Sequence, residues 1–140
     1  MADALSKPDP WLWRTRPRAP QPGAVLGPID DILMGQAKEY IFGRGTTVFS
    51  MMVVRQDGNR VYGYLNLCPH YSQPLNYRNG AFMNDEGTRI RCTMHFAEFR
   101  VKDGYGVSGA AEKCWLDPVP VLVKSGVVYI STLEEYSTHD

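Results

Sequence analysis

Residues 48–70 read VFSMMVVRQDGNRVYGYLNLCPH. The first part, from Val48 to Arg55, is β-branched and methionine-rich. Asp57-Gly58 then turns the chain toward a second apolar run, and Asp-Gly between two such runs is among the strongest local signals for a hairpin. In that second run Val61, Gly63, Leu65 and Leu67 alternate with Tyr62, Tyr64 and Asn66. This is the period of a strand with one inward face. The strand runs directly into Cys68-Pro-His70, so a thiol and an imidazole share one short loop at a strand end. Pro69 stiffens that loop by fixing φ.

The same strand grammar continues on both sides. Tyr40-Ile-Phe42 is a short apolar run, expected to stop at Gly43 and Gly45. Val119, Val121 and Val123 alternate before Ser125-Gly126, and Val127 and Tyr129 alternate with Val128 and Ile130 after it. Asn79-Gly80 and Asp103-Gly104 are further turn signals. Short strands at regular turn spacing, with no long helical period, predict an all-β domain. Residues 1–28 differ in character. They hold six of the ten prolines (Pro8, Pro10, Pro17, Pro20, Pro22 and Pro28) and should be extended. Trp11 and Trp13 lie there with Arg14, Arg16 and Arg18. Their rings either strap onto the body or dock a partner, and the strap is the preferred reading. The division expected is a proline-rich tail over 1–28, one domain over 29–133 and a polar tail over 134–140.

A second motif, Cys92-Thr-Met-His95, follows His70 after 21 residues. Strand residues 89–91 should deliver it as residues 60–67 deliver the first. Two such loops facing each other supply two thiolates and two imidazoles to one centre. A 2Fe–2S cluster with this donor set is neutral when both irons are ferric, whereas four thiolates would leave it at −2, so the mixed set accepts an electron more readily. Zinc is the other metal that takes two Cys and two His. Structural zinc sites, however, favour halves of the C-x₂₋₄-C and H-x₃₋₅-H kind, whereas each half here mixes one Cys with one His.

Composition narrows the function classes. The chain of 140 residues is 44% hydrophobic and carries 15 basic and 15 acidic side chains, for a formal net charge of zero. That is a globular composition with no broad positive field, so nucleic acid is not an expected partner. No apolar run approaches the ~20 residues of a membrane span. With no apolar signal core and no twin-arginine pair at the N-terminus, the cytoplasm is the expected compartment. Three cysteines, two of them in the motifs, leave Cys114 without a disulfide partner in sequence terms, which suits a reducing compartment. Cys114 reads as a small hydrophobe near the surface of the core. Its sharper reading, as a fifth ligand or a redox-sensing thiol, has only Lys113 nearby to lower its pKa.

The C-x-H…C-x-x-H pattern resembles the Rieske ferredoxin family. So do Pro74-Leu75 after the first loop and the run from His95 to Gly104 with its aromatic Phe99. Gly109 falls where a third loop covers the cluster, and residues 118–131 resemble the closing hairpin. The likeness runs from about Ala37 to Thr132. Departures are Ala110 in place of the family's usual Pro, Phe96 after the second His, and a longer stretch between the loops. The resemblance implies an antiparallel β-sandwich with a small cluster-binding subdomain formed by two loops. It implies one 2Fe–2S cluster per chain, with Cys68 and Cys92 on one iron and His70 and His95 on the other through Nδ1. The His edges would face outward as the electron exit.

What is absent shapes the expected function. Beyond the two motifs only His139 remains, so a 2-His-1-carboxylate iron site for O₂ activation cannot be assembled. No G-x-G-x-x-G dinucleotide fingerprint exists either, and Gly104, Gly106 and Gly109 read as turns. The resemblance then implies an electron-transfer component that is not itself an enzyme. It would carry one electron at a time from a flavin-dependent reductase to a terminal oxygenase or other oxidoreductase. Ala97 and Phe99 stand where high-potential relatives place Ser and Tyr, which implies a potential in the lower half of the Rieske range. A Rieske-like small subunit of a larger reductase and a non-redox zinc-binding module are the alternatives.

Overall fold

The computed structural model describes residues 8–67, 83–84, 87–92, 97–108 and 114–132. Among these, nine strands form three antiparallel three-stranded sheets. The all-β expectation is met. The middle sheet consists of β2 (Ala37–Arg44), β3 (Thr47–Arg55) and β4 (Val61–Leu65), in that order. One flanking sheet consists of β5 (Arg89–Cys92), β6 (Ala97–Arg100) and β7 (Gly106–Ser108), in sequence order. The other pairs β1 (Val25–Pro28) with β9 (Val127–Ile130), and β9 with β8 (Val121–Lys124).

Turn chemistry places these strands. The Asp57-Gly58 signal does join β3 to β4, with Arg55 opposite Val61 and Gly58 at φ 57. Ser125 and Gly126 both have positive φ, 52 and 77, as a type I′ turn requires, and they close β8 onto β9. One boundary needs correction. Gly43 does not stop the apolar run: β2 continues through it to Arg44, and the chain reverses at Gly45-Thr46. Gly43 stays in the ladder opposite Val48 at φ 99.

The single inward face expected for residues 61–67 is also corrected. The alternation is real, but both faces are covered. Met52, Val54 and Tyr64 point into one buried cluster with Ile90, Cys92, Ala97, Phe99, Val101 and Leu116. Phe49, Met51, Val53 and Leu65 point into another with Trp13, Ile29, Ile32, Val119, Val128 and Ile130. The middle sheet is therefore the shared wall of two cores. The outer edge of β4 is sealed by backbone, because Leu65 N donates to Asp117 O at 2.9 Å and Val119 N to Gly63 O at 2.9 Å. This contact explains Gly63: a Cβ there would stand 2.3 Å from Val119 O, closer than any real pair of such atoms.

The N-terminal segment is partly helical. Leu12–Thr15 is a 3₁₀ turn, where an extended chain was expected. No proline lies between Pro10 and Pro17, so the backbone N–H groups that close it are intact: Arg14 N donates to Trp11 O at 3.2 Å and Arg16 N to Trp13 O at 3.1 Å. The turn aims Trp13 inward. Its ring is fully buried and meets Phe49 edge-on at 6.1 Å. The strap reading thus describes Trp13. Trp11 is half-buried, with the Arg14 guanidinium 5.7 Å from its ring.

Candidate metal centre

Of the four expected ligands, Cys92 lies among the described residues. Cys68, His70 and His95 lie outside them, as do Pro69, Pro74, Leu75, Asn79, Gly80, Phe96, Gly109, Ala110 and His139. Cys92 ends β5 and pairs with Ala97, the first residue of β6, so the hairpin between them carries His95 by covalent connection. The Cys92 side chain is fully buried and in no disulfide. A buried, unoxidised cysteine at a strand end suits a thiolate ligand better than a surface thiol would. The donor set of two sulfurs and two imidazole nitrogens fits a 2Fe–2S cluster of the mixed kind.

The first loop leaves from the middle sheet. Leu65 ends β4, Asn66 N donates to Ser50 O at 3.0 Å, and Leu67 then leads into Cys68. Tyr64, four positions before Cys68, shares the buried cluster that holds Cys92 and Ala97. The strand that feeds the first loop and the hairpin that carries the second therefore pack on one another. Tyr64 also fixes the far side of this layer. Its hydroxyl donates to Val101 O at 2.6 Å, and burial, followed by the nearby Asp103 and Tyr62, pushes its pKa up. The tyrosine stays neutral and remains a donor at any physiological pH.

Residues 103–106 resolve the glycine-rich stretch. Gly104 is the turn, at φ 77, and a Cβ there would lie 2.8 Å from Tyr64 Cε1. Gly106 begins strand β7, so its reading as a turn is corrected. Asp103 organises the turn by accepting from Arg100 Nε at 3.1 Å and from Tyr105 N at 3.0 Å. Cys114 is half-buried, consistent with a small side chain at the rim of the core.

One polar row escaped the sequence. Ser50 Oγ donates to Glu39 Oε2 at 2.6 Å, while Asn66 Nδ2 reaches Glu39 Oε2 and Ser50 Oγ, both at 3.1 Å. Asn66 is buried, and these bonds hold the chain just before Cys68. The three positions are brought together only by the register of β2, β3 and β4, for which no local signal exists.

Residues 25–126 match the family described as the Rieske 2Fe-2S domain, which is most of the chain. The chain belongs to the Rieske family. Its cofactor is the 2Fe–2S cluster of that domain. The Rieske fold is found again in solved structures. The ferredoxin of carbazole 1,9a-dioxygenase from Nocardioides aromaticivorans IC177 is 22% identical, with a TM-score of 0.61, over 79% of this chain and 98% of that one. A chain from the complex of reduced oxygenase and oxidised ferredoxin in carbazole 1,9a-dioxygenase is 24% identical, with a TM-score of 0.63, over 80% and 94%. The E. coli protein NirD is 20% identical, with a TM-score of 0.58, over 77% and 94%. Among curated protein sequences, none matches this Rieske chain significantly. No helix among the described residues is long and apolar enough to cross a membrane.

Proposed function

We propose that this Rieske protein is a one-electron carrier, not itself an enzyme, that passes electrons from a flavin-dependent reductase to a terminal oxygenase or other oxidoreductase in the cytoplasm. Cys68 and Cys92 ligate one iron of its cluster, and His70 and His95 ligate the other. The observation that carries this reading is the donor set itself, one Cys and one His at each of two strand-borne loops, with the buried Cys92 as its described member. A Rieske cluster supplies reversible one-electron chemistry, and with only His139 left outside the two motifs the chain lacks the two histidines a second iron site for O₂ would need. The likeness to a ferredoxin of a dioxygenase system, and to one in complex with its oxygenase, supports the choice of acceptor.

Ala97 and Phe99 are both buried in an apolar cluster and neither offers a hydroxyl to the cluster sulfurs. The expected midpoint therefore lies in the lower half of the roughly −150 to +300 mV range of such centres. Two measurements test the proposal. Aerobically purified protein should be coloured, with two irons and two sulfides per chain on the family's pattern, and its voltammetric midpoint should sit in that lower half. His70→Ala should lose the cluster or its spectrum. A colourless protein containing zinc, or a His70→Ala protein with an unaltered cluster, would refute the assignment.

A further inference from the structure

At the turn end of the β2–β3 hairpin, residues 46–50 and 65–67 line a cleft of about 440 Å³ whose remaining wall is Arg16 and Pro17 of the N-terminal strap. Leu67 is bonded to Cys68, and successive Cα atoms are about 3.8 Å apart, so the cleft reaches to within one residue of the first ligand position. Ile41 and Val48, 56% and 42% exposed, lie beside it. They share a sheet face, since Ile41 opposes Ser50 and Val48 opposes Gly43.

Around this apolar floor stand Arg16, Arg18 and Arg44, all exposed. Arg18 is held in place by construction. Its backbone sits at φ 64, unusual for a residue with a side chain, and its stem crosses Gly43, where a Cβ would lie 3.1 Å from Arg18 Cγ. Two carboxylates lie nearby. Asp117 faces Arg16, and Glu39 accepts from Ser50 and Asn66. Three exposed arginines against these two partly buried carboxylates leave the end next to Cys68 with a small cationic excess in a chain of zero net charge. Arg16 and Arg18, though not Arg44, precede residues 25–126, so two of the three rim arginines lie outside the stretch that matches the family's domain.

We propose that this cleft and its arginine rim are the docking surface for an electron-transfer protein that presents carboxylates. The inference rests on the carrier reading above. Fields of this kind raise encounter rates and are screened by salt.

Outer-sphere oxidants of opposite charge test it without a known partner. The protein is reduced with dithionite and oxidised by hexacyanoferrate(III), each cluster giving one electron to one ferric complex. The rate should fall by about tenfold between low and high ionic strength. Arg18→Glu with Arg44→Glu should remove most of the low-salt advantage. Arg60→Glu with Lys102→Glu makes the same change in net charge at exposed sites on the opposite strand ends, and should change the rate much less. With the cation tris(phenanthroline)cobalt(III) the order of the two variants should invert. If Arg18→Glu with Arg44→Glu loses the cluster, Arg18→Gln with Arg44→Gln should give about half the effect. Equal responses of the rim and control variants would overturn the docking surface while leaving the carrier intact. A protein with no reducible cluster would remove both.

Discussion

The two faces of the middle sheet bury similar numbers of large apolar side chains, but the layers that cover them are built differently. On one face Trp13, Ile29, Ile32, Val119, Val128 and Ile130 close the core, and backbone bonds lock the strap to the β8–β9 hairpin: Gly23 N donates to Ile130 O at 2.8 Å and Ile29 N to Gly126 O at 2.9 Å. Strand length does not separate the faces, since β1, β8 and β9 have four residues each and β5, β6 and β7 have four, four and three, but the core on the other face includes Cys92. Short strands of this kind are marginal alone. The strap layer is closed by protein contacts, whereas the Cys92 layer has a proposed ligand inside its packing. Metal binding and packing should therefore be coupled on one face and independent on the other.

The sharpest way to break this contrast is to remove a ligand. Cys92→Ala should abolish the cluster, and amide exchange at Phe99 and Val101 should accelerate by two orders of magnitude or more (~10²) as local opening becomes easy. Val128 and Ile130 should keep most of their protection. Equal loss on both faces would show that the two cores melt as one unit.

The strap face predicts the reverse. Trp13→Ala should cost about 3–5 kcal/mol in denaturant unfolding, the usual range for emptying a buried aromatic site, while leaving the spectrum of the loaded cluster unchanged. Trp13→Phe should cost much less. The indole Nε1 has no hydrogen-bond partner among the described residues, so replacing it relieves a polar atom that burial penalises. A shifted cluster spectrum in either variant would mean that the two faces communicate.

A smaller effect belongs to Tyr40, which packs against the strap core with no partner for its hydroxyl among the described residues. Burial, with a contribution from Asp31, pushes its pKa up to about 12. The folded state thus holds this proton more tightly than the unfolded chain, whose tyrosines titrate near 10. The stabilisation is complete below pH ~10 and is lost as pH rises from there toward 12. Tyr40→Phe should flatten the decline of stability over that window, and an unchanged slope would reject the assignment.

Much of this fold could be read before any coordinates. Asp57-Gly58, Ser125-Gly126 and the alternation around Val61 and Val121 identify their hairpins because turn chemistry and side-chain period are local. Burial on both faces of β3 was less visible. The uninterrupted apolar run from Met51 to Val54 was its signal, since a strand covered on one face alternates with polar residues. Gly43 misled because glycine usually ends a strand, whereas here it stays paired and makes room for Arg18. The two Cys–His motifs on which the proposed ligand set rests could be picked out because each half is contiguous. The Glu39–Ser50–Asn66 row was not, because only strand register assembles it.

The shared wall has a consequence for how the chain finds its register. In most half-buried strands a slip of one residue throws the apolar set into water, and that penalty acts as a proofreader. In β3, Met51 and Met52 are the same residue and so are Val53 and Val54, and each pair straddles the sheet. A slipped β3 would still present methionine and valine to both cores, so burial of these four residues barely discriminates against the error, although Phe49 would trade faces with Ser50. Correct pairing must be enforced elsewhere. The Gly63 notch admits only the backbone of Val119, the tight reversal at Gly45-Thr46 fixes Arg44 opposite Thr47, and Ser50 meets Glu39 and Asn66 at one offset only. Those polar and steric checkpoints, with Phe49 against Trp13, select the native alignment more than the methionine and valine pattern does.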